Sequence, residues 1–254
     1  LAMAEDKPER SRAANVVDGK GSEGKDSSSS GVLLDMSLLK QTENWDCGIA
    51  CCAMALRYYG QDVSLKTLKV QSFDIGMTKS TWTVELCYLL HLNSVRNRYH
   101  TSSICVNPEL GKEDYYAKSF VDDTARINKL FDRVNELGLQ VSQREPPLED
   151  LVAHLDQCRP LIVLVNAMLL TCKHCAASEC AHSADSRSTA PYLGHYIVVI
   201  GCDQSNDVIH YLDPSPRRCN HPCSITVKIF EEARAAFGTD LDTIFLDGCL
   251  ASVP

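Results

Sequence analysis

The chain has 254 residues, 44% of them hydrophobic and 23% charged, which suffices for one large core and excludes a wholly disordered, collagenous or coiled-coil chain. A formal net charge of −8 leaves no basic excess to neutralise phosphates, so no nucleic-acid partner is expected. The longest apolar stretches, 161–165 and 196–202, are too short to span a bilayer, and no membrane span is expected.

The first residues lack the apolar run of a signal peptide, so a cytoplasmic or nuclear location is expected. Leu1 is not Met, which points to a sequence that begins inside a longer chain. Residues 1–31 are polar and charge-balanced and end in the serine run 27–30; such a segment has too little apolar surface to order itself and is expected to be a disordered tail. Gly19, Gly24 and Lys25 have phosphate-loop spacing, but Asp26 stands where a Ser or Thr is needed and no strand precedes them, so they are set aside.

Residues 32–254 are expected to form one domain. A breaker-free run from Asp46 or Cys47 to Tyr59, stopped by Gly60, predicts a helix. A short helix follows at 64–70, and another at 81–92 with Ser80 as its cap. Strands are expected at 95–99 and 103–106. A long helix is expected at 114–137, with Phe120, Ile127, Leu130, Phe131 and Val134 on one side, and a further helix at 148–157. The later segments 161–166, 195–202, 208–212, 225–228 and 243–246 are β-rich, with a helix at 231–237. Helices first and strands late predict an α+β fold.

The segment Gln41-Thr-Glu-Asn-Trp-Asp-Cys47-Gly48 carries the most chemistry. A cysteine that opens a helix has its thiolate favoured by the dipole and by free backbone N–H groups. Gly48 allows close approach of a substrate, and Trp45 either lines the cleft or packs under the helix start. Gln41, six positions upstream, can offer an amide to an oxyanion beside the Cys47 N–H. His195 opens the strongest late strand beside Gly194, and Asp213 ends the next. On antiparallel neighbours these positions face each other, so Asp213 can fix the imidazole of His195 and His195 can take the proton of Cys47.

The pattern Gln-x5-Cys-Gly, Gly-His-Tyr and Asp-Pro resembles papain-like cysteine peptidases, most closely the leader-peptidase domains of bacteriocin exporters. More specifically, NWDCGIAC (44–51), LRYYGQ (56–61), VLVNAMLL (163–170) with its CKHC, GHYIVVIGCD (194–203) and FEEARAAFGTD (230–240) resemble the guanylyl cyclase domain-containing proteins of animals, plants and protists. The resemblance spans residues 33–247. It implies a papain-like fold, N-terminal helices with the Cys-bearing helix packed on a C-terminal antiparallel sheet. It also implies Cys47 as nucleophile, His195 as base, Asp213 as orienter and Gln41 as oxyanion donor, with no cofactor required.

The family name implies conversion of GTP to cyclic GMP, whereas the residues fit acyl transfer on an amide, ester or isopeptide bond of a peptide or protein. A third reading is a binding protein on a peptidase scaffold. Cys172, Cys175, Cys180 and His182 have the composition of a zinc site, and Cys219, His221 and Cys223 form a second cluster that could complete it. The stretch 171–191 that carries the first cluster is expected to be an insertion near the cleft, acting as a lid or substrate-contacting loop. Glu231, Glu232 and Arg234 are expected on a solvated helix face, and Asp240 and Asp242 in a turn.

Overall fold

The structure, a computed structural model, describes residues 31–112, 119–172, 175 and 191–249. The expected tail lies outside these apart from Gly31. So do most of the expected insertion 171–191, including Cys180 and His182, and residues 113–118 at the start of the expected long helix.

Helix α1 (Cys47–Tyr58) is almost wholly buried from Cys47 to Leu56. A helix that is apolar all round sits inside a core, and its Gly, Ala and Cys side chains let neighbours come close. Helix α2 (Leu65–Asp74) starts on Ser64, whose side chain accepts from Thr67 N–H at 3.1 Å. Helix α3 (Thr83–Leu92) starts not on Ser80 but after Trp82, whose N–H donates to Glu85 at 3.0 Å. Ser80 instead donates to Asp123 on α4 (Phe120–Phe131) at 2.5 Å. There Arg126 pairs with Asp123 and Glu85, so a buried ion cluster joins α3 to α4.

Seven strands form one sheet: β1 (Val95–Thr101), β2 (Gln140–Gln143), β3 (Leu161–Asn166), β4 (Gly194–Asp203), β5 (Val208–Leu212), β6 (Cys223–Thr226) and β7 (Thr243–Cys249), in the order β2-β1-β7-β3-β4-β5-β6. All pairs are antiparallel except β1–β2. The α+β class is as expected. The sheet is not purely C-terminal and antiparallel, however, because β1 comes from the first half of the chain and pairs parallel with β2. Strand β3 and nearly all of β4 are buried without alternation, so both faces are covered. Helix α1 packs on β4, and α3 on β1 and β7, the arrangement that the papain-like resemblance implies. Helices α5 (Leu148–Leu155) and α6 (Val227–Arg234) pack on β4 and β3.

Ahead of α1, residues 32–41 run along the β4–β5 hairpin: Leu34 N–H donates to Ile200 O and Gln41 N–H to Pro214 O, both at 2.8 Å. Gly201 permits this strap, since a Cβ there would stand 2.6 Å from the Val32 carbonyl oxygen. Among the described residues no helix is long and apolar enough to cross a membrane.

Local details depart from expectation. Residues 103–106 form no strand, because Thr101 Oγ1 accepts from Ser103 N–H at 3.2 Å and turns the chain. Thr226 ends β6 and caps α6, accepting from Ile229 N–H at 3.3 Å, so 227–228 are helical and not strand. Arg234 is buried and paired to Glu231 at 2.7 and 2.8 Å, a packed contact and not a solvated face.

His154 on α5 is buried edge-on to Phe245, with ring centroids 4.9 Å apart, and His100 meets the same ring from β1. Burial pushes the His154 imidazole down to about 4; Arg98 and Arg159 push the same way against the pull of Asp247. A folded-state value below the unfolded one means that stability is lost as pH falls from about 6.5 towards 4. His154→Gln is therefore expected to remove up to about 3 kcal/mol of that acid-side loss. Urea midpoints of both proteins at about pH 7 and pH 4.5 check it: the variant should show the smaller difference.

Candidate active site

Helix α1 begins at Cys47 because Asp46 spends its side chain on the preceding loop and not on the helix. Its buried carboxylate accepts from Thr42 N–H at 3.2 Å, Glu43 N–H at 3.0 Å and Thr42 Oγ1 at 2.9 Å, and pairs with Lys69 Nζ at 3.1 Å. This folds residues 41–46 into a compact turn and leaves the first-turn amides of α1 facing the region of Cys47.

Cys47 is 7% exposed, His195 9% and Asp213 2%. The Cys47 side chain lies close enough to the His195 imidazole to favour its charged form. His195 Nε2 lies 2.8 Å from Asp213 Oδ1, which leaves Nδ1 for the sulfur. Strands β4 and β5 pair antiparallel, with Val198 opposite Leu212, and this brings the start of β4 to the end of β5.

Burial opposes a charge on His195, but the Asp213 carboxylate, its hydrogen bond and the Cys47 side chain outweigh it and raise the imidazole to about 10. Burial likewise opposes the Asp213 charge. His195, the Ser215 N–H at 2.9 Å and Arg218 overcome it and hold the carboxyl below its usual value. Arg218 Nε stands 3.6 Å from Asp213 Oδ2. The arrangement is a charged imidazole held between a sulfur and a fixed carboxylate, the geometry in which a thiolate can act as nucleophile.

The remaining expected site residues divide. Gln41 is tethered beside Asp213 through its N–H to Pro214 O. Its side-chain Nε2 donates to Glu43 O at 2.7 Å, while Oε1 is buried without a hydrogen-bond partner. One amide hydrogen therefore remains for an oxyanion. Gly194 lines a narrow cavity of about 20 Å³ with Trp82, Tyr196 and Asp242. Gly48 does not line a cleft: it is buried, and a Cβ there would stand 2.6 Å from Leu86 Cδ1 and 3.0 Å from the Tyr196 ring. Its role is to let α1 close onto α3 and β4. Trp45 packs under the helix start, 5.6 Å from Phe73 between centroids with Lys69 Nζ 5.8 Å from its ring.

Asp242 closes a turn through its N–H to Thr239 O at 3.0 Å, but its side chain does more than that. It is buried, accepts from Thr83 Oγ1 at 2.5 Å and Tyr99 OH at 2.7 Å, and burial pushes its carboxyl up to about 7.

Two residues that hold the Asp213 loop carried no sequence signal. Besides Arg218, Lys40 Nζ donates to the carbonyl oxygens of Asp213 at 3.1 Å, Ser215 at 2.9 Å, Arg218 at 3.3 Å and Cys219 at 2.7 Å. Cys172, Cys175, Cys219 and Cys223 converge near this loop; Cys180 and His182, expected with the first two, lie outside the described residues. His221 is exposed, with Nδ1 3.0 Å from Pro222 O, and stands apart from the four.

The three residues thus meet at one place: Cys47 opens α1, His195 lies near the start of β4, and Asp213 directly follows β5. By sequence, the chain belongs to the guanylylate cyclase family, whose sequence model matches residues 36–246. It is 31% identical over 215 residues to a protein named Guanylyl cyclase 1 of Arabidopsis thaliana, covering 84% of this chain and 76% of that one. Among solved structures it resembles a putative C39-like peptidase from Bacillus anthracis, with TM-score 0.47 and 14% identity over 87% of this chain and 99% of the other.

Proposed function

We propose that the protein is a cysteine-dependent hydrolase or acyl transferase acting on an amide, ester or isopeptide bond of a peptide or protein. The observation that carries this reading is the convergence of Cys47 at the start of α1, His195 beside it, and Asp213 hydrogen-bonded to His195. With the imidazole protonated and Asp213 fixing its orientation, the Cys47 sulfur attacks the carbonyl carbon and forms the S–C bond. The carbonyl electron pair moves onto oxygen, where the Cys47 N–H and the spare Gln41 amide hydrogen can meet it. His195 then gives its proton to the leaving nitrogen or oxygen as the C–N or C–O bond breaks. The resulting thioester is released when water, or a second acceptor, loses a proton to His195 and attacks the same carbon.

The family and the Arabidopsis relative's name favour a second reading, cyclisation of GTP, in which metal-held phosphates and not a thiol carry the chemistry. One comparison separates the two. Thiol-directed activity probes and a peptide and ester panel are applied to the wild type and Cys47→Ala, and cyclic GMP formation from GTP is followed with and without chelator. Probe labelling and hydrolysis that vanish in Cys47→Ala are expected. Cyclic GMP formation that survives Cys47→Ala and stops on chelation would replace the hydrolase reading with the cyclase, and a protein without either activity would leave the scaffold-binding role.

A further inference from the structure

Two separate segments bring four thiols together. Cys172 and Cys175 follow β3 and are two residues apart, with Lys173 and His174 between them; Cys219 and Cys223 flank the entry to β6 with three residues between. The four Sγ atoms all lie within 4.8 Å of one another, with Cys175 Sγ 3.0 Å from Cys219 Sγ and 3.6 Å from Cys223 Sγ. All four are free thiols, and three of them are buried. Four sulfurs at about 2.3 Å from one zinc ion stand about 3.8 Å apart, and C-x2-C with C-x3-C is knuckle spacing for such a site. The Cys219 N–H donates to Cys175 Sγ at 3.4 Å, the kind of backbone donor that steadies a thiolate ligand.

We propose that Cys172, Cys175, Cys219 and Cys223 form a structural zinc site that fastens the segment after β3 to the β5–β6 connection. Four thiols lose four protons on binding one Zn²⁺, leaving a net charge of −2. The cations for that charge are at hand. Arg218 precedes Cys219 and donates Nη2 to Leu170 O at 3.0 Å, and Lys40 holds the Cys219 carbonyl. Both also touch Asp213, so the ion fixes the loop that carries this carboxylate, whatever bond the protein cleaves. A structural tetrahedral site is closed by four ligands; Cys180 and His182 are not needed as ligands, and neither is His221.

The test uses the whole chain, purified without an affinity tag and without chelator. Native mass spectrometry and metal analysis should give one zinc per chain, and X-ray absorption should give a shell of four sulfurs at about 2.3 Å. Cys219→Ser/Cys223→Ser should lose the metal, and Cys180→Ala/His182→Ala should keep it. Wild-type protein that neither carries nor takes up zinc overturns the proposal. So does iron in its place, a nitrogen-containing shell, a disulfide among the four, or zinc retained by Cys219→Ser/Cys223→Ser. If that variant fails to fold, the wild-type stoichiometry and sulfur shell decide. Cys47→Ala should keep its zinc, so loss of hydrolase activity and loss of the metal are read separately.

Discussion

At about pH 6, His195→Gln is expected to slow alkylation of Cys47 by about a hundredfold. An isolated thiol with a pKa of about 8.5 is ionised to only about 0.3% at that pH. In the wild type the sulfur faces an imidazole whose proton is retained up to about pH 10, because Asp213 and Cys47 outweigh the cost of burying its charge. Wild-type Cys47 should therefore label faster than Cys47 of the variant at about pH 6. Gln is chosen because its amide can still donate to Asp213; Ala would remove one partner of the buried carboxylate, leaving it to Ser215 N–H and Arg218, and confuse reactivity with folding.

The same linkage has a stability side. A histidine raised above its unfolded value of about 6.5 contributes fully below that pH and loses its contribution as pH climbs towards 10. The wild type should thus lose more stability than the variant between about pH 7 and 10. Peptide mapping of labelled cysteines separates Cys47 from exposed Cys105 and Cys249. Equal Cys47 rates in the two proteins at pH 6 would remove His195 from the chemistry.

What the sequence made legible is tied to short-range physics. The start of α1 could be read because CGIACCAMALRYY has no breaker and Gly60 follows. His195 and Asp213 could be paired because the hairpin is local and its strands have plain β patterns. Strand β2 could not be read: it is four largely exposed residues, three of them polar, that pair parallel to β1. Cys172 and Cys175 were legible as thiol ligands, but their companions in space come from the far side of β4 and β5, and a nearer Cys180 and His182 offered themselves first.

The conflicts at Gly48 and Asp242 have one cause. Both look like loop or site chemistry in a linear reading, and both are fixed by partners far along the chain, Leu86 for one and Thr83 and Tyr99 for the other. The pattern differs from that of the core strands, where composition and burial agree residue by residue.

Lys40→Met should cost about 2–4 kcal/mol of stability and loosen the Asp213 loop ahead of the rest of the fold. The ammonium has three hydrogens and shares them among four carbonyl oxygens, those of Asp213, Ser215, Arg218 and Cys219. Methionine fills a similar volume, so packing is largely kept while the four acceptors lose their common donor. Lys40→Arg should not rescue it, since a flat guanidinium fork cannot converge on carbonyls grouped around one point. Two amides report the loosening directly: Ser215 N–H, bonded to Asp213 Oδ1 at 2.9 Å, and Cys219 N–H, bonded to Cys175 Sγ at 3.4 Å. Their hydrogen exchange should accelerate in Lys40→Met more than that of β3 amides. On the proposed mechanism, Cys47-dependent hydrolysis should fall in parallel, because Asp213, hydrogen-bonded to His195, hangs on this loop. An unchanged urea midpoint together with unchanged exchange at both amides would show that the loop stands without Lys40, and that Arg218 and the four cysteines alone hold Asp213 in place.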